Sequence, residues 1–201
     1  MRIRLEDLKI LFIVSSLVGV LALSSPVWST LLSSRPSESF SELYVLGSNR
    51  TIGGYPFNVR VNETYTIYLG VGNHMGSSRY YVLYVKFRNQ TGPLPNSTAE
   101  APSSLPPLYE YRVVIPDGEV WEAPLTFSFP RVSRFEDKCL VESITINGVT
   151  FNVDRMAVWD VKASGYYYQL FIELWIYDSE DGTFKFHNRF VGLWLNATAS
   201  G

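Results

Sequence analysis

Ser143-Ile-Thr-Ile-Asn-Gly-Val-Thr-Phe151 sets Asn147-Gly148 between two runs rich in β-branched and aromatic residues. A two-residue hairpin turn of the favoured hand needs positive φ at both central positions, and Asn-Gly tolerates that best. The stretch therefore reads as two antiparallel strands joined by a tight turn. Working outward, Asp117-Gly118 and Asp181-Gly182 give similar signals. Tyr65, Ile67, Leu69 and Val71 share one face of a strand, as do Leu170, Ile172, Leu174 and Ile176. Arg79 to Arg88 is apolar on both faces and reads as a central strand. Further strands are expected over Phe40 to Leu46, Phe57 to Val61, Leu108 to Ile115, Val120 to Phe129 and Phe184 to Asn196. Eight or nine such strands predict an all-β, immunoglobulin-like two-sheet sandwich. Gln90 to Pro107 holds five prolines and is expected to be a long exposed loop.

The composition agrees. Aromatic residues make up 15% of the 201 residues and charged residues only 18%, a strand-rich balance. Residues 33–201 carry fewer basic than acidic side chains, so no positive surface is expected to neutralise nucleic-acid phosphates. Cys139 is the only cysteine, which excludes an intramolecular disulfide and a Cys/His zinc site. It reads as a buried structural thiol.

Ahead of the β-pattern, Ile10 to Leu23 is apolar except for Ser15 and Ser16, and the run continues to Leu32. That is enough for one membrane-spanning helix. Arg2, Arg4 and Lys9 precede it, so the N-terminus is expected to stay in the cytoplasm and the rest to lie outside. A cleaved signal peptide is the competing reading. The organisation expected is an anchor over residues 1–32, a polar linker over 33–42 and an extracytoplasmic sandwich over 43–201. Ser15, Gly19 and Ala22 align small residues along one helix face, where a second membrane helix can approach.

Five Asn-X-Thr triplets begin at Asn49, Asn62, Asn89, Asn96 and Asn196. With 10 Asn and 10 Thr beyond residue 32, chance gives only about 0.6. The excess points to covalent N-linked glycans, and no other cofactor or metal is expected. Asp178-Ser-Glu-Asp-Gly182 lacks the spacing of a calcium loop and reads as a solvated turn. His74 and His187 have no partner arranged by sequence order. Glu173 and Asp160 are one carboxylate pair able to serve a glycosidase, although nothing in the sequence singles them out. Tyr166, Tyr167, Tyr168, Trp175 and Trp194 read mainly as core, with some free to form a binding platform.

Phe40-Ser-Glu-Leu-Tyr-Val-Leu-Gly47, Tyr68-Leu-Gly-Val-Gly-Asn-His74 and Arg189-Phe-Val-Gly-Leu-Trp-Leu-Asn196 together resemble the archaeal membrane-protein family called domain of unknown function 1616. The resemblance implies an archaeal cell-surface setting and brings no catalytic residues. Members often carry several membrane helices ahead of this domain, whereas this chain has one such segment. The function expected is a membrane-anchored, glycosylated structural or accessory module, not an enzyme, that contacts the lipid bilayer and envelope or membrane proteins. The alternative is a carbohydrate-binding domain or glycosidase acting on envelope glycans.

Overall fold

The computed structural model describes residues 5–32 and 38–197, with side chains given for all of these except Asp7 and residues 21–32. Two units are present, one ending at Ser39 and one beginning at Phe40. The first holds a helix, α1 (Leu5–Leu32). Among the described residues no helix is long and apolar enough to cross a membrane.

The second unit holds ten strands: β1 (Phe40–Leu46), β2 (Asn58–Val59), β3 (Tyr65–His74), β4 (Arg79–Asn89), β5 (Tyr109–Ile115), β6 (Val120–Phe135), β7 (Lys138–Ile146), β8 (Val149–Val158), β9 (Tyr167–Asp178) and β10 (Thr183–Ala197). They form two five-stranded sheets, in the orders β1-β3-β6-β7-β8 and β2-β10-β9-β4-β5. Both sheets turn one face to a shared core, so the expected sandwich is present. Because β1 already starts at Phe40, the linker expected to reach Glu42 gives way to strand after Ser39.

The Asn147-Gly148 turn forms as read, with both residues at positive φ and Ile146 paired with Val149. β6 runs six residues past its expected end at Phe129. Pro130 follows that point directly, and register shifts between Ser128 and Arg131 carry the proline in a bulge, where its missing N–H costs no ladder bond. The expected strand over Phe57 to Val61 shrinks to Asn58–Val59, the only strand among those described that pairs in parallel, with β10.

Strand directions give the domain two distinct ends. β1 enters beside the end of β3, with Phe40 paired to His74. The links β3–β4, β5–β6 and β9–β10 lie at this entry end, while β1–β2, β2–β3 and β8–β9 lie at the far end. In the core, Phe87 and Tyr168 from one sheet pack on Phe129 from the other, with centroids 5.6 and 6.4 Å from its ring. Cys139 is fully buried, and burial raises its thiol pKa. It is the inert structural thiol that an absent base implied.

Candidate functional site

Alternation along β4 puts Tyr81, Leu83, Val85 and Phe87 in the core and Val82, Tyr84, Lys86 and Arg88 on the opposite face. β9 likewise sends Gln169, Phe171, Glu173 and Trp175 outward. An outer face is normally wet, yet Lys86, Arg88, Gln169 and Glu173 are all buried. The cover is the proline-rich segment between β4 and β5. It forms no strand, as expected, but it is not simply exposed, because Pro95 and Ser103 are sealed against the sheet.

Lys86 Nζ lies 2.8 Å from Glu173 Oε2. Ser103 closes the pair, its N–H donating to Glu173 Oε1 at 2.8 Å and its carbonyl accepting from Lys86 Nζ at 2.8 Å. Trp175 Nε1 donates to the other Glu173 oxygen at 3.0 Å. The two charges thus satisfy each other and a loop that only hydrogen bonding could hold there. Glu173 is therefore not a carboxylate facing substrate. Asp160 lies in the β8–β9 link, which it holds through one oxygen, its Oδ1 accepting from the Lys162 and Ala163 N–H groups. The two do not build a glycosidase site.

At the far end the same face opens into a groove of about 380 Å³, lined by Phe57, Gln90, Asp160, Ala163, Tyr167 and Trp194. Phe57 and Trp194 are 47% and 41% exposed. The Trp194 ring is braced from behind by Arg88, whose guanidinium carbon sits 5.0 Å from the ring centroid. Arg88 is itself fixed by Gln169 Oε1 at 2.8 Å and Gly92 O at 2.6 Å. Of the aromatic residues singled out in the sequence, Tyr168 is core and Tyr166 is nearly so. Trp175 packs edge-on to Tyr84, and Tyr167 and Trp194 line the groove.

At the entry end a bulge between Phe186 and Arg189, with Asn188 at φ 55°, turns His187 toward β1. His187 Nε2 sits 2.9 Å from Ser41 Oγ, which lies 2.7 Å from Tyr81 OH. Tyr81 donates on to Asn73 Oδ1 at 3.0 Å. Sequence order hid this chain because 146 residues separate Ser41 from His187. Ser41 is 1% exposed, so its hydroxyl is a structural link and not a reachable nucleophile. Burial lowers the His187 pKa, and Arg189 and Arg79 lower it further. A depressed folded value means that stability is complete above the ordinary value of 6.5 and falls as pH drops below it. Denaturant melts at pH 7.0 and 5.5 are expected to show a loss no steeper than about 1.4 kcal/mol per pH unit, and His187→Gln is expected to flatten it. An equal pH slope in the variant assigns the loss to other groups.

The sequons divide by environment. Asn49, Asn62 and Asn96 are exposed. Asn89 is half-buried, with Nδ2 donating to Met156 O at 2.7 Å. Asn196 is 8% exposed, donates to Asn58 Oδ1 at 3.1 Å and accepts from Tyr166 N–H; Thr198 of its triplet lies outside the described residues. On α1, Ser15 Oγ donates to Phe12 O and nothing lies within 4 Å of a side chain built on Gly19. The Ala22 side chain lies outside the described residues. His74 stacks on Phe40, Asp178 pairs with Lys185, and no metal-holding cluster occurs among the described residues.

Residues 34–136, just over half the chain, match the family described as domain of unknown function, DUF1616. The chain belongs to this family. The match spans the first two of the three stretches carrying the resemblance and ends before Arg189 to Asn196. No curated protein matches the chain. Among solved structures, it is similar to a chain of the human seminal-plasma complex of zinc 2-glycoprotein and prolactin inducible protein, at 11% identity and TM-score 0.39, over 81% of this chain and 98% of that one. A Listeria innocua β-glucosidase mutant in complex with laminaribiose gives 9% identity and TM-score 0.41, over 82% of this chain and 16% of the enzyme. The PapD-like domain 7 of human CEP192 gives 9% and 0.35, over 85% and 92%.

The DUF1616 stretches have structural explanations. In Tyr68 to His74, a Cβ on Gly70 would fall 2.1 Å from the Tyr44 ring and one on Gly72 2.8 Å from Glu42 Oε2. Glycine there lets the β1 side chains lie flat across β3. Asn73 ties the entry end together, donating to Ile115 O at 2.8 Å and Ser77 O at 2.9 Å.

Proposed function

We propose that this DUF1616 protein is a membrane-anchored, N-glycosylated accessory module standing at an archaeal cell surface, where its β-domain contacts envelope or membrane proteins. The observation that carries the reading is the placement of the sequons. Asn49 follows β1, Asn62 precedes β3, Asn89 closes β4 and Asn196 nears the end of β10, so four lie at the far end, and Asn96 sits on the loop that leaves it. The chain enters the domain at the opposite end. The exposed acceptors Asn49 and Asn62 thus stand at the end of the β-domain opposite to the one where the chain enters it.

Support for the anchor comes from α1. Its described apolar side chains, among them Leu8, Ile10, Leu11, Phe12, Ile13, Val14, Leu17 and Val18, are all more than half exposed. A helix that is apolar all round, and not along one stripe, suits a lipid surrounding. The sequence continues the apolar run beyond Val20, Gly19 offers the open face a partner helix needs, and basic residues before it favour a cytoplasmic N-terminus.

Glycopeptide mapping of protein from the native host is expected to find sugar on Asn49, Asn62 and Asn96, and little on Asn89 and Asn196, whose amide nitrogens are engaged. Protease added to intact cells is expected to cleave the β-domain. An unmodified chain removes the glycoprotein reading, and a protected β-domain removes the outside placement.

A further inference from the structure

We propose that the far-end groove formed by Phe57, Tyr167 and Trp194 with Asp160 and Gln90 is a binding site for a neutral sugar ring. The inference stands on the groove alone and does not depend on the anchor. Three aromatic side chains come from three parts of the chain: the segment before β2, the start of β9 and the outer face of β10. Leaving Phe57 and Trp194 this exposed forgoes the burial that aromatic rings normally gain. The Trp194 ring nevertheless packs on the Arg88 guanidinium, 5.0 Å from its centroid. Tyr167 is pinned by its hydroxyl, which donates to Ala163 O, and its ring centroid lies 5.9 Å from that of Phe57. A preformed aromatic surface binds with little loss of side-chain freedom.

The polar groups narrow the ligand. Gln90 donates through Nε2 to Val158 O at 2.6 Å, which fixes its carboxamide at the rim. Asp160 commits Oδ1 to the turn and leaves Oδ2 to accept from a ligand. No lysine or arginine side chain lines the groove among the described residues, so nothing there compensates a phosphate or carboxylate. A purely apolar side chain from a protein would cover the rings but strip water from Asp160 without replacing it. A sugar ring meets both demands. Its C–H face lies on the negative face of an aromatic ring, and its edge carries hydroxyls that donate to a carboxylate. The groove volume of about 380 Å³ is at the small end of ligand sites and suits one or two rings.

The test titrates the full chain, held in a polyoxyethylene detergent with no sugar head group, with cellobiose, maltose and N,N′-diacetylchitobiose while the heat of binding is followed. At least one sugar is expected to give a saturable change with half-saturation of about 0.1–10 mM. Trp194→Ala is expected to weaken it at least about tenfold, and Asp160→Asn, which keeps the turn-holding oxygen, several-fold. Trp121→Phe, in the other sheet, is expected to leave it unchanged. Matching unfolding transitions show that the variants are folded, and Asp160→Asn decides the matter if Trp194→Ala is not. The proposal is overturned if no sugar saturates, if Trp194→Ala binds as tightly as the parent, or if indole saturates the signal where the sugars do not.

Discussion

Glu173→Ala is expected to destabilise the β-domain by about 3–5 kcal/mol, because it leaves the Lys86 ammonium buried with no counter-charge. Lys86 and Glu173 side chains are 4% and 0% exposed, so solvent cannot take over the lost contact. The change also frees the Ser103 N–H, which now donates to Glu173. Loss of that clasp should loosen the segment between β4 and β5, and hydrogen exchange at Ser103 should rise more than exchange in β4 itself. A domain of this size loses about 2–4 °C per kcal/mol, so the melting temperature should fall by roughly 10 °C. The double variant Lys86→Met with Glu173→Met removes both charges and is expected to recover most of the loss, since apolar replacement of a buried ion pair is often neutral or better. A cost below about 1 kcal/mol for Glu173→Ala would mean that water reaches the pair and that the loop does not seal it.

The same pair marks where sequence reading stopped. Alternation and turn chemistry are local, so the sandwich, the Asn147-Gly148 turn and the core faces of β3 and β9 were legible from residue order. The strand expected to end at Phe129 runs on through Pro130 because a bulge absorbs the proline, and that bulge is set by pairing with β7. Glu173 looked like one carboxylate among many. Its burial depends on Ser103, 70 residues away, on a loop whose prolines signalled only the absence of a strand. His187 and Ser41 were likewise joined by topology. Of the aromatic residues, periodicity could have separated the outward Trp194 from the inward Tyr168, since β9 and β10 alternate cleanly there. It could not show that Phe57, from a segment with almost no strand, would complete a groove with them.

Phe129→Ala should be the most damaging single truncation in the core, at about 3–5 kcal/mol. Phe129 is fully buried and is the point where β6 meets the opposite sheet. Its ring lies 5.6 Å from Phe87 and 6.4 Å from Tyr168 across the core, and 6.4 Å from Phe127 on its own strand. Phe87 and Tyr168 stack with an interplanar angle of 9°, so neither can tilt into the space left behind without breaking that stack. Tyr168 is further held by its hydroxyl, which donates to Cys139 O at 2.5 Å. A cavity that its neighbours cannot fill carries the full cost of lost contacts on top of the lost burial. Phe135→Ala, six residues along the same strand, provides the control. Its ring is 55% exposed, and the change should cost no more than about 0.5 kcal/mol. Urea unfolding of the two variants should give equal m-values and well-separated midpoints. Coincident midpoints would mean that the two sheets are held by contacts other than the Phe87, Phe129 and Tyr168 cluster.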